Sequence, residues 1–216
     1  MIAAARSILD RVTDWRNRGR VGALGEFYSG GGNELLVSNL DLTQTDFVVD
    51  AGGYEGEWTD EMVCRYGVSS IIFEPNPHNA ELLRERYKAN SRIGVIEAAL
   101  SNQGGTALFK QQGSGSAIDA QGTIKVELCD VSWIRRYTSV RCLKLNVEGS
   151  EYDILERLIE TKLIDTIKYI LVQFHQAPNC NRRREKIQLG LCRTHVCVFD
   201  YPFVWELWKL KPPGQT

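Results

Sequence analysis

A single stretch decides the fold of this chain: Phe47-Val-Val-Asp-Ala-Gly-Gly-Tyr-Glu-Gly-Glu-Trp58. A short apolar strand runs into a glycine-rich turn and then into a helix start, the order that opens many α/β domains. A second apolar strand, Ser70–Glu74, follows and ends in a carboxylate. Glycine lets backbone approach a ligand, and a carboxylate at that place can accept hydrogen bonds from both ribose hydroxyls. The pair predicts an adenosine-bearing cofactor; a tight turn without a ligand is the structural alternative.

The polar residues of the turn indicate which cofactor binds. A dinucleotide site needs G-x-G-x-x-G, which directs a helix N-terminus at a pyrophosphate. Residues 50–56 instead follow the pattern D-x-G-G-x-x-G, with Glu55 and Glu57 beside the helix start. These carboxylates repel a pyrophosphate but suit the sulfonium and amino group of S-adenosylmethionine. No G-x-x-x-x-G-K-[ST] motif occurs, which excludes a P-loop. We therefore predict S-adenosylmethionine as the cofactor.

Length and composition limit the number of domains, the partners and the cellular setting. The chain has 216 residues, which suits one α/β domain. Its net charge of -1 argues against a broad nucleic-acid-binding surface, and no apolar run is long enough to span a membrane. Six cysteines without a C-x-x-C pair predict no metal site, and without an export signal they predict a cytoplasmic setting. Cys142 and Cys197 lie in apolar runs, so both thiols are expected to be buried. The oligomeric state is left open.

Three segments are expected along the chain. Residues 1–45 are predicted to form an amphipathic helix over 1–20, a glycine-rich stretch over the cofactor cleft, and a helical pattern over Glu34–Leu42. Residues 46–210 alternate strands and helices, which predicts a mainly parallel sheet, and residues 211–216 form a tail. The predicted strands are Phe47–Ala51, Ser70–Glu74, Gly94–Ala99, Thr106–Lys110, Thr123–Cys129, Arg141–Val147, Ile167–His175, His195–Tyr201 and Val204–Leu210. The predicted helices are Glu57–Tyr66, Pro77–Asn90, Asp130–Tyr137, Glu151–Glu160 and a last one that follows the basic stretch Asn181–Lys186 and ends at about Cys192.

Four motifs follow one another along the chain: Val49–Gly56, Phe73–Pro77, Ala99–Asn102 and Leu143–Glu151, the last containing Lys144-x-x-x-Glu148-Gly149-x-Glu151. Together they resemble the FkbM-type family of S-adenosylmethionine-dependent methyltransferases. The resemblance implies an α/β fold: a Rossmann-like class I methyltransferase sheet, mostly parallel with an antiparallel last strand and helices on both faces. It also implies methyl transfer to oxygen in natural-product or saccharide tailoring. Asn146 stands where the family usually carries Asp, and Gly53 where it carries a small residue such as Ala.

The site residues are expected at the carboxyl ends of the strands, where open α/β sheets bind ligands. The predicted cofactor-binding residues are Asp50, Gly52, Gly53, Glu74, Pro75, Asn76, Ala98, Ala99, Leu100 and Asn146. Glu148 and His175 are the predicted catalytic residues, facing the acceptor. The alternatives are a carboxylate that stabilises a helix N-terminus for Glu148 and a hydrogen-bonded structural imidazole for His175. Asn146 is neutral, so it cannot serve as a general base.

These observations favour O-methylation of a hydroxyl on a saccharide or another small secondary metabolite. N-methylation on the same fold remains an alternative, and so does a protein that binds the cofactor without catalysis, which neutral Asn146 suggests. A nucleic-acid methyltransferase is disfavoured by the charge balance and by the absence of an N-P-P-[YF] motif. The basic run Arg182–Arg184 is expected to be a solvated face or, alternatively, a contact for an anionic acceptor.

Overall fold

A computed structural model describes residues 20–111, 115–137, 139–212 and 214. The amphipathic helix predicted over residues 1–20 lies outside the described residues, except for its last position. A helix, α1, covers residues 20–29 of the described chain. Within the described ranges, no helix is long and apolar enough to cross a membrane.

Eleven strands and four further α-helices follow α1 within the described residues. The strands are β1 (Phe47–Ala51), β2 (Ser69–Phe73), β3 (Ile93–Ile96), β4 (Ala99–Ser101), β5 (Gly105–Lys110), β6 (Ala117–Ile118), β7 (Ile124–Asp130), β8 (Cys142–Leu145), β9 (Tyr169–Val172), β10 (His195–Tyr201) and β11 (Trp205–Leu210). The helices are α2 (Glu57–Tyr66), α3 (Pro77–Tyr87), α4 (Glu151–Glu160) and α5 (Cys180–Leu191), and 3₁₀ turns cover Gly32–Leu36, Val131–Arg136 and Leu163–Thr166.

The main sheet has seven strands in the order β10-β11-β9-β8-β1-β2-β3. All neighbours pair in parallel except β11, which runs antiparallel to both β9 and β10. The predicted α/β sheet with an antiparallel last strand is therefore confirmed. From β1 the chain order of the strands runs to one edge of the sheet through β2 and β3, and from β8 it runs towards the other edge through β9. The direction of winding therefore changes between β1 and β8. This change leaves a crevice at the carboxyl ends of these two strands, where α/β sheets bind their ligands.

Both faces of the central sheet are buried. Successive residues of a strand point to opposite faces, so neighbouring side chains belong to different parts of the core. Val48 is fully buried in a cluster with Phe27 of α1 and Met62 of α2. Its neighbour Val49 is fully buried in the opposite cluster, which contains Leu155 of α4 and residues of α5. Each such side chain stabilises the fold by about 1.5–3 kcal/mol. Helices on both faces thus fix the strand ends that build the site.

A second sheet of four strands, in the order β4-β7-β5-β6, departs from the sequence prediction. The predicted strand Gly94–Ala99 is wrong in its second half. The amide of Ala98 donates to the carbonyl of Ile96, and the chain turns there out of the main sheet. It then pairs Ala99 with Leu128 of β7. The small sheet carries β5 and β6 to the mouth of the cleft.

Two further expectations are corrected. The helical pattern over Glu34–Leu42 forms only the short turn Gly32–Leu36, after which the chain has no regular secondary structure and buries Leu40 and Leu42 against the α1–α2 side of the sheet. Cys197 is exposed, whereas Cys142 is fully buried as expected. The difference arises because β10 is an edge strand and β8 is a central one.

Candidate cofactor and acceptor site

The turn after β1 requires glycine for a packing reason. Gly52 has φ of 82°, and a Cβ there would lie 2.0 Å from the carbonyl oxygen of Asn146. A Cβ on Gly53 would lie 2.1 Å from Cγ2 of Ile72. The amide of Gly52 donates to the carbonyl of Phe73 at 2.9 Å. The turn is thus pressed between the ends of β2 and β8, where no side chain fits.

A buried ion pair between β1 and β8 holds this turn in place. Asp50 and Lys144 are register partners on β1 and β8. The Lys144 Nζ donates to Oδ1 of Asp50 at 2.7 Å and to the carbonyl of Gly52 at 2.8 Å. The hydroxyl of Thr59, on α2, donates to the other Asp50 oxygen at 2.9 Å. The Asp50 side chain is fully buried and that of Lys144 is 7% exposed. Both carboxylate oxygens of Asp50 are therefore occupied by the protein.

Glu74 extends from the end of β2 and closes the turn from the other side. Its Oε2 accepts from the amide of Tyr54 and its Oε1 from the amide of Asn76, both at 2.9 Å. Burial raises the pKa of Glu74, and the two amide hydrogen bonds oppose that shift. The side chain of Asn76 accepts from the amide of His78 and so caps α3. Glu74 is in this way held rigidly with its carboxylate at the cleft.

Two cavities meet at this turn. The smaller, about 100 Å³, is the β2 cavity; it is lined by Gly52, Tyr54, Phe73, Glu74, Pro75, Asn79, Ala99, Leu100, Phe109, Ser116, Ala117, Ile118, Asn146, Val147 and Glu148. The larger, about 590 Å³, is the α2 cavity; it is lined by Asn33, Glu34, Leu36, Val37, Gly52, Gly53, Tyr54, Glu55, Glu57, Trp58, Asp60, Glu61, Arg65, Lys144, Asn146 and Trp205. Gly52, Tyr54 and Asn146 line both cavities. The glycine turn is therefore the divide between two compartments of one cleft.

Asn146 carries a buried acceptor that the protein leaves unused. Its Oδ1 is shielded from solvent and has no hydrogen-bond partner among the described residues. A buried polar atom without a partner costs about 1–3 kcal/mol, so such an atom beside a cavity points to a ligand that donates to it.

A charged cluster lies at the ends of β8 and β9. The Nε2 of His175 lies 3.0 Å from Oε1 of Glu148, and its Nδ1 lies 3.5 Å from Oε1 of Glu151 without an aligned hydrogen bond. Burial lowers the pKa of His175, but the nearby carboxylates of Glu148 and Glu151 outweigh it and raise that pKa to about 9. The imidazole is therefore protonated at neutral pH.

The backbone around this cluster is tightly held. Glu151 is fully buried, and its carboxylate accepts from the amide of Gly149 at 2.8 Å and from the amide of His175 at 2.7 Å. Glu148 itself has φ of 48°, in the left-handed region that is unfavourable for a side chain. Tyr54, on the opposite wall of the β2 cavity, has φ of 49°. Strained backbone on both walls indicates that the positions of these side chains are imposed by the surrounding structure.

The structure gathers most of the predicted site residues around the cleft. Gly52, Gly53, Glu74, Pro75, Ala99, Leu100, Asn146 and Glu148 line one or both cavities. Asp50, Asn76 and Ala98 are buried behind them, and His175 reaches the β2 cavity only through Glu148. The described residues contain no group of three His, Cys, Asp or Glu side chains placed to hold a metal ion.

The basic run on α5 is largely used within the fold. Arg183 pairs with Asp153 at 2.6 Å and with Glu156 at 2.8 Å. Arg184 pairs with Glu206 at 2.5 Å and also with Asp200. These two guanidinium groups therefore fasten α5 to α4 and to the β10–β11 hairpin.

The seven-stranded sheet, its antiparallel β11 and the glycine turn followed by Glu74 together define a class I methyltransferase. The sequence profile of the family described as "Methyltransferase FkbM domain" matches residues 50–188, and the chain belongs to this family. It accordingly carries a methyltransferase domain of the kind that uses S-adenosylmethionine as its cofactor. A search of curated proteins finds no match.

Solved structures share the fold at low sequence identity. Methyltransferase FkbM from Methylobacillus flagellatus KT is similar with a TM-score of 0.56 and 13% identity over 79% of this chain. The similarity covers only 45% of that protein, so this chain spans less than half of its length. A candidate rRNA methylase from Clostridium thermocellum is similar with a TM-score of 0.52 and 12% identity, over 84% of this chain and 95% of that one. At such identities these likenesses show the fold alone.

The residues at the turn fit S-adenosylmethionine. The unpartnered Oδ1 of Asn146 can accept from an amino group. Gly52 brings backbone to the lining of both cavities at a position where a Cβ would collide with the carbonyl of Asn146. Glu74 presents a carboxylate to the β2 cavity beside the apolar walls of Ala99 and Leu100. Sequence reasoning missed the structural role of Lys144 and the walls supplied by Trp58 and Trp205. A lysine inside the apolar run of β8 is the signal for the first, since a buried lysine needs a partner.

Proposed function

We propose that this methyltransferase transfers the methyl group to a hydroxyl oxygen of a saccharide or another small metabolite. The proposal rests on the position of Glu148. Its carboxylate lines the β2 cavity two residues beyond Asn146 and is held there by His175 at 3.0 Å. A carboxylate fixed at this place accepts a hydrogen bond from a hydroxyl and then receives its proton, which general-base catalysis requires.

The cofactor-binding role is proposed for residues of the glycine turn and the strand ends that line the two cavities, and for those that position them. Glu74 accepts the ribose hydroxyls, while Pro75, Ala99 and Leu100 shape the adenosine end. Asn146 accepts from the amino group, and Gly52 and Gly53 admit the methionine end. Asp50 acts through Lys144, and Asn76 and Ala98 support the wall from behind. When bound, S-adenosylmethionine supplies a methyl group that its sulfonium has already activated.

His175 is proposed as a positioning residue instead of the general base. Its raised pKa means that the ring already holds a proton at neutral pH, so it has no free nitrogen to accept another. As an imidazolium it orients Glu148 and compensates the strained backbone of that residue. The hydroxyl oxygen is then aligned by the protein, and alignment of this kind lowers barriers by up to about 7–11 kcal/mol in favourable intramolecular models.

Single-turnover methyl transfer to a panel of sugars and hydroxylated metabolites tests the proposal. We expect Glu148→Gln to lower turnover by about a hundredfold or more, the usual contribution of a positioned base. Glu160→Gln removes an exposed carboxylate at the far end of α4 and serves as the matched control, with turnover unchanged. Transfer to amines alone would identify an N-methyltransferase. Tight cofactor binding without transfer to any acceptor would favour a non-catalytic protein.

A cytoplasmic setting is also proposed. All six cysteines have free thiols, and none forms a disulfide. Unpaired thiols are usual in a reducing compartment. Fractionation of the native host cells, with the chain detected by antibody, checks this setting.

A further inference from the structure

Two exposed thiols lie at one corner of the fold, where the chain passes from α5 into β10. Cys192 directly follows α5, and Cys197 lies in β10, the edge strand of the main sheet. Both cysteines are free and exposed. Neither of them lines the β2 cavity or the α2 cavity. The proposed methyl transfer therefore gives this pair of thiols no role.

The pairing of β10 with β11 fixes the direction of the Cys197 side chain. Cys197 pairs with Trp208, and Asp200 pairs with Glu206. Directly paired residues of antiparallel strands place their side chains on the same face of a sheet. Trp208 belongs to the core cluster on the α4–α5 side, and Glu206 accepts from a guanidinium of α5. Cys197 and Asp200 therefore both face α5, and the register shift of β10 after Cys197 lets residues three apart share this face.

The face of α5 that meets β10 leads to Cys192. Arg184, Gln188 and Cys192 are four residues apart, and this spacing places side chains along one face of a helix. Cys192 still has helical dihedral angles, with φ of -56° and ψ of -17°. Arg184 and Gln188 both donate to the carboxylate of Asp200. Cys192 thus continues the row of α5 side chains that contacts β10.

The two thiols are reached from the Gln188–Asp200 contact by steps in the same direction. Cys192 lies about 6 Å further along α5, and Cys197 lies about 10 Å back along β10. Both steps lead towards the turn that joins α5 to β10. Partial burial raises the pKa of Cys197 to about 11, and neighbouring acidic groups, Cys192 among them, add to this shift. Because a charge changes a pKa in this way only at short range, the two thiols are neighbours in space.

We infer that Cys192 and Cys197 form a redox-active dithiol, a site at which small-molecule disulfides such as oxidised glutathione close a reversible protein disulfide. Oxidation would link the end of α5 to the edge strand of the main sheet. The inference goes beyond the proposed function and does not depend on it.

The reaction is two successive thiol–disulfide exchanges. Cys197 stays protonated at neutral pH, so we assign the first attack to Cys192. Its thiolate forms a bond to one sulfur of oxidised glutathione, the S–S bond of glutathione breaks, and one glutathione thiolate leaves and takes up a proton. Cys197 then loses its proton and attacks the sulfur of Cys192, which releases the second glutathione. Two protein thiols are oxidised, and one glutathione disulfide is reduced to two thiols.

Peptide mapping of the whole chain tests the inference. The protein is equilibrated with mixtures of reduced and oxidised glutathione, and the remaining thiols are blocked with iodoacetamide. Trypsin cleaves after Arg193, so the two cysteines fall in separate peptides, 187–193 and 194–209. Mass spectrometry with and without reduction then measures the linked pair. The exposed thiol of Cys64, on α2, is the internal control.

We expect the linked pair to exceed the glutathione adduct of Cys64 by about tenfold or more, because a neighbouring thiol reacts at a far higher effective concentration than a dissolved one. Cys197→Ser should stop the reaction at the first step, so that a glutathione adduct accumulates on Cys192. Cys64→Ser is the matched control and should leave the yield of the linked pair unchanged. Unfolding curves of both variants check that they are folded.

Two results would overturn the inference. The first is separate glutathione adducts on Cys192 and Cys197 without a linked peptide, since the thiols would then be too far apart to join. The second is a link between two copies of the chain, detected as mixed-mass peptides when isotopically labelled and unlabelled protein are oxidised together. Such a link would indicate contact between edge strands instead of a dithiol within one chain.

Discussion

The glycine turn and the α2 cavity lie side by side, yet they are built in different ways. The turn lies between the ends of β1, β2 and β8, and backbone packing imposes its shape. A Cβ on Gly52 would lie only 2.0 Å from the carbonyl oxygen of Asn146. The α2 cavity is lined by the same turn and by side chains from the segment before β1, from α2, from the end of β8 and from β11. The shape of the turn is therefore set by backbone packing, whereas the chemistry of the cavity is set by its side chains.

Breaking the buried ion pair beneath the turn should have the largest effect. Lys144→Met leaves the carboxylate of Asp50 buried with only Thr59 as a partner, and removal of one member of a buried pair costs about 3–5 kcal/mol. Urea unfolding measures the loss. Adding Asp50→Asn should recover part of it, because the unpaired charge disappears. Strictly additive losses in the double variant would show that the two side chains act independently.

Gly52→Ala should be nearly as damaging. A side chain at positive φ costs about 1–2 kcal/mol, and overlap with the Asn146 carbonyl adds about 1–3 kcal/mol. Gly105→Ala is the matched control, since Gly105 has φ of 133° but open space around its Cβ position. The control should lose only the smaller amount and should bind S-adenosylmethionine normally. Equal losses in the two variants would remove the packing argument for Gly52.

The sequence predicted the central sheet well because local signals specify it. β1, α2 and α4 have the predicted bounds, and β11 is antiparallel as the resemblance implies. The second sheet was missed because β4 pairs in parallel with β7, about thirty residues later, and such a pairing leaves no periodic signal. The predicted strand through Ala99 therefore ran past the turn at Ala98.

The placement of the candidate site residues could be predicted in part. Motif residues at strand ends, such as Gly52, Glu74 and Asn146, line the cleft because parallel strands bring their carboxyl ends together. Trp205 lies far along the chain and reaches the α2 cavity only through the reversal of β11. No local pattern marks it. The predicted lining role of Asp50 did not anticipate that its register partner Lys144 would occupy the carboxylate.

The pH dependence of the free energy of unfolding tests whether His175 is charged in the folded protein. Its folded pKa of about 9 lies above the unfolded value of 6.5. The stabilisation, on the order of 3 kcal/mol, is therefore fully present below pH 6.5 and is lost as pH rises through 9. Urea unfolding of the wild type and of His175→Asn should show a stability difference that is large at pH 7 and that shrinks towards pH 10. A difference independent of pH would mean that the imidazole is not charged in the folded protein.

The proposed placement of the cofactor at the end of β2 is tested most directly by titrating S-adenosylmethionine into two matched variants, Glu74→Gln and Glu148→Gln, by calorimetry. Both replace a carboxylate that lines the β2 cavity with an amide. Glu74→Gln should weaken binding by about 1–3 kcal/mol, the scale for hydrogen bonds to a charged group. Glu148→Gln should leave the affinity within error of the wild type, because its carboxylate faces the acceptor. Unchanged affinity in Glu74→Gln together with a loss in Glu148→Gln would contradict the account, because the cofactor would then be held at the end of β8 instead of β2.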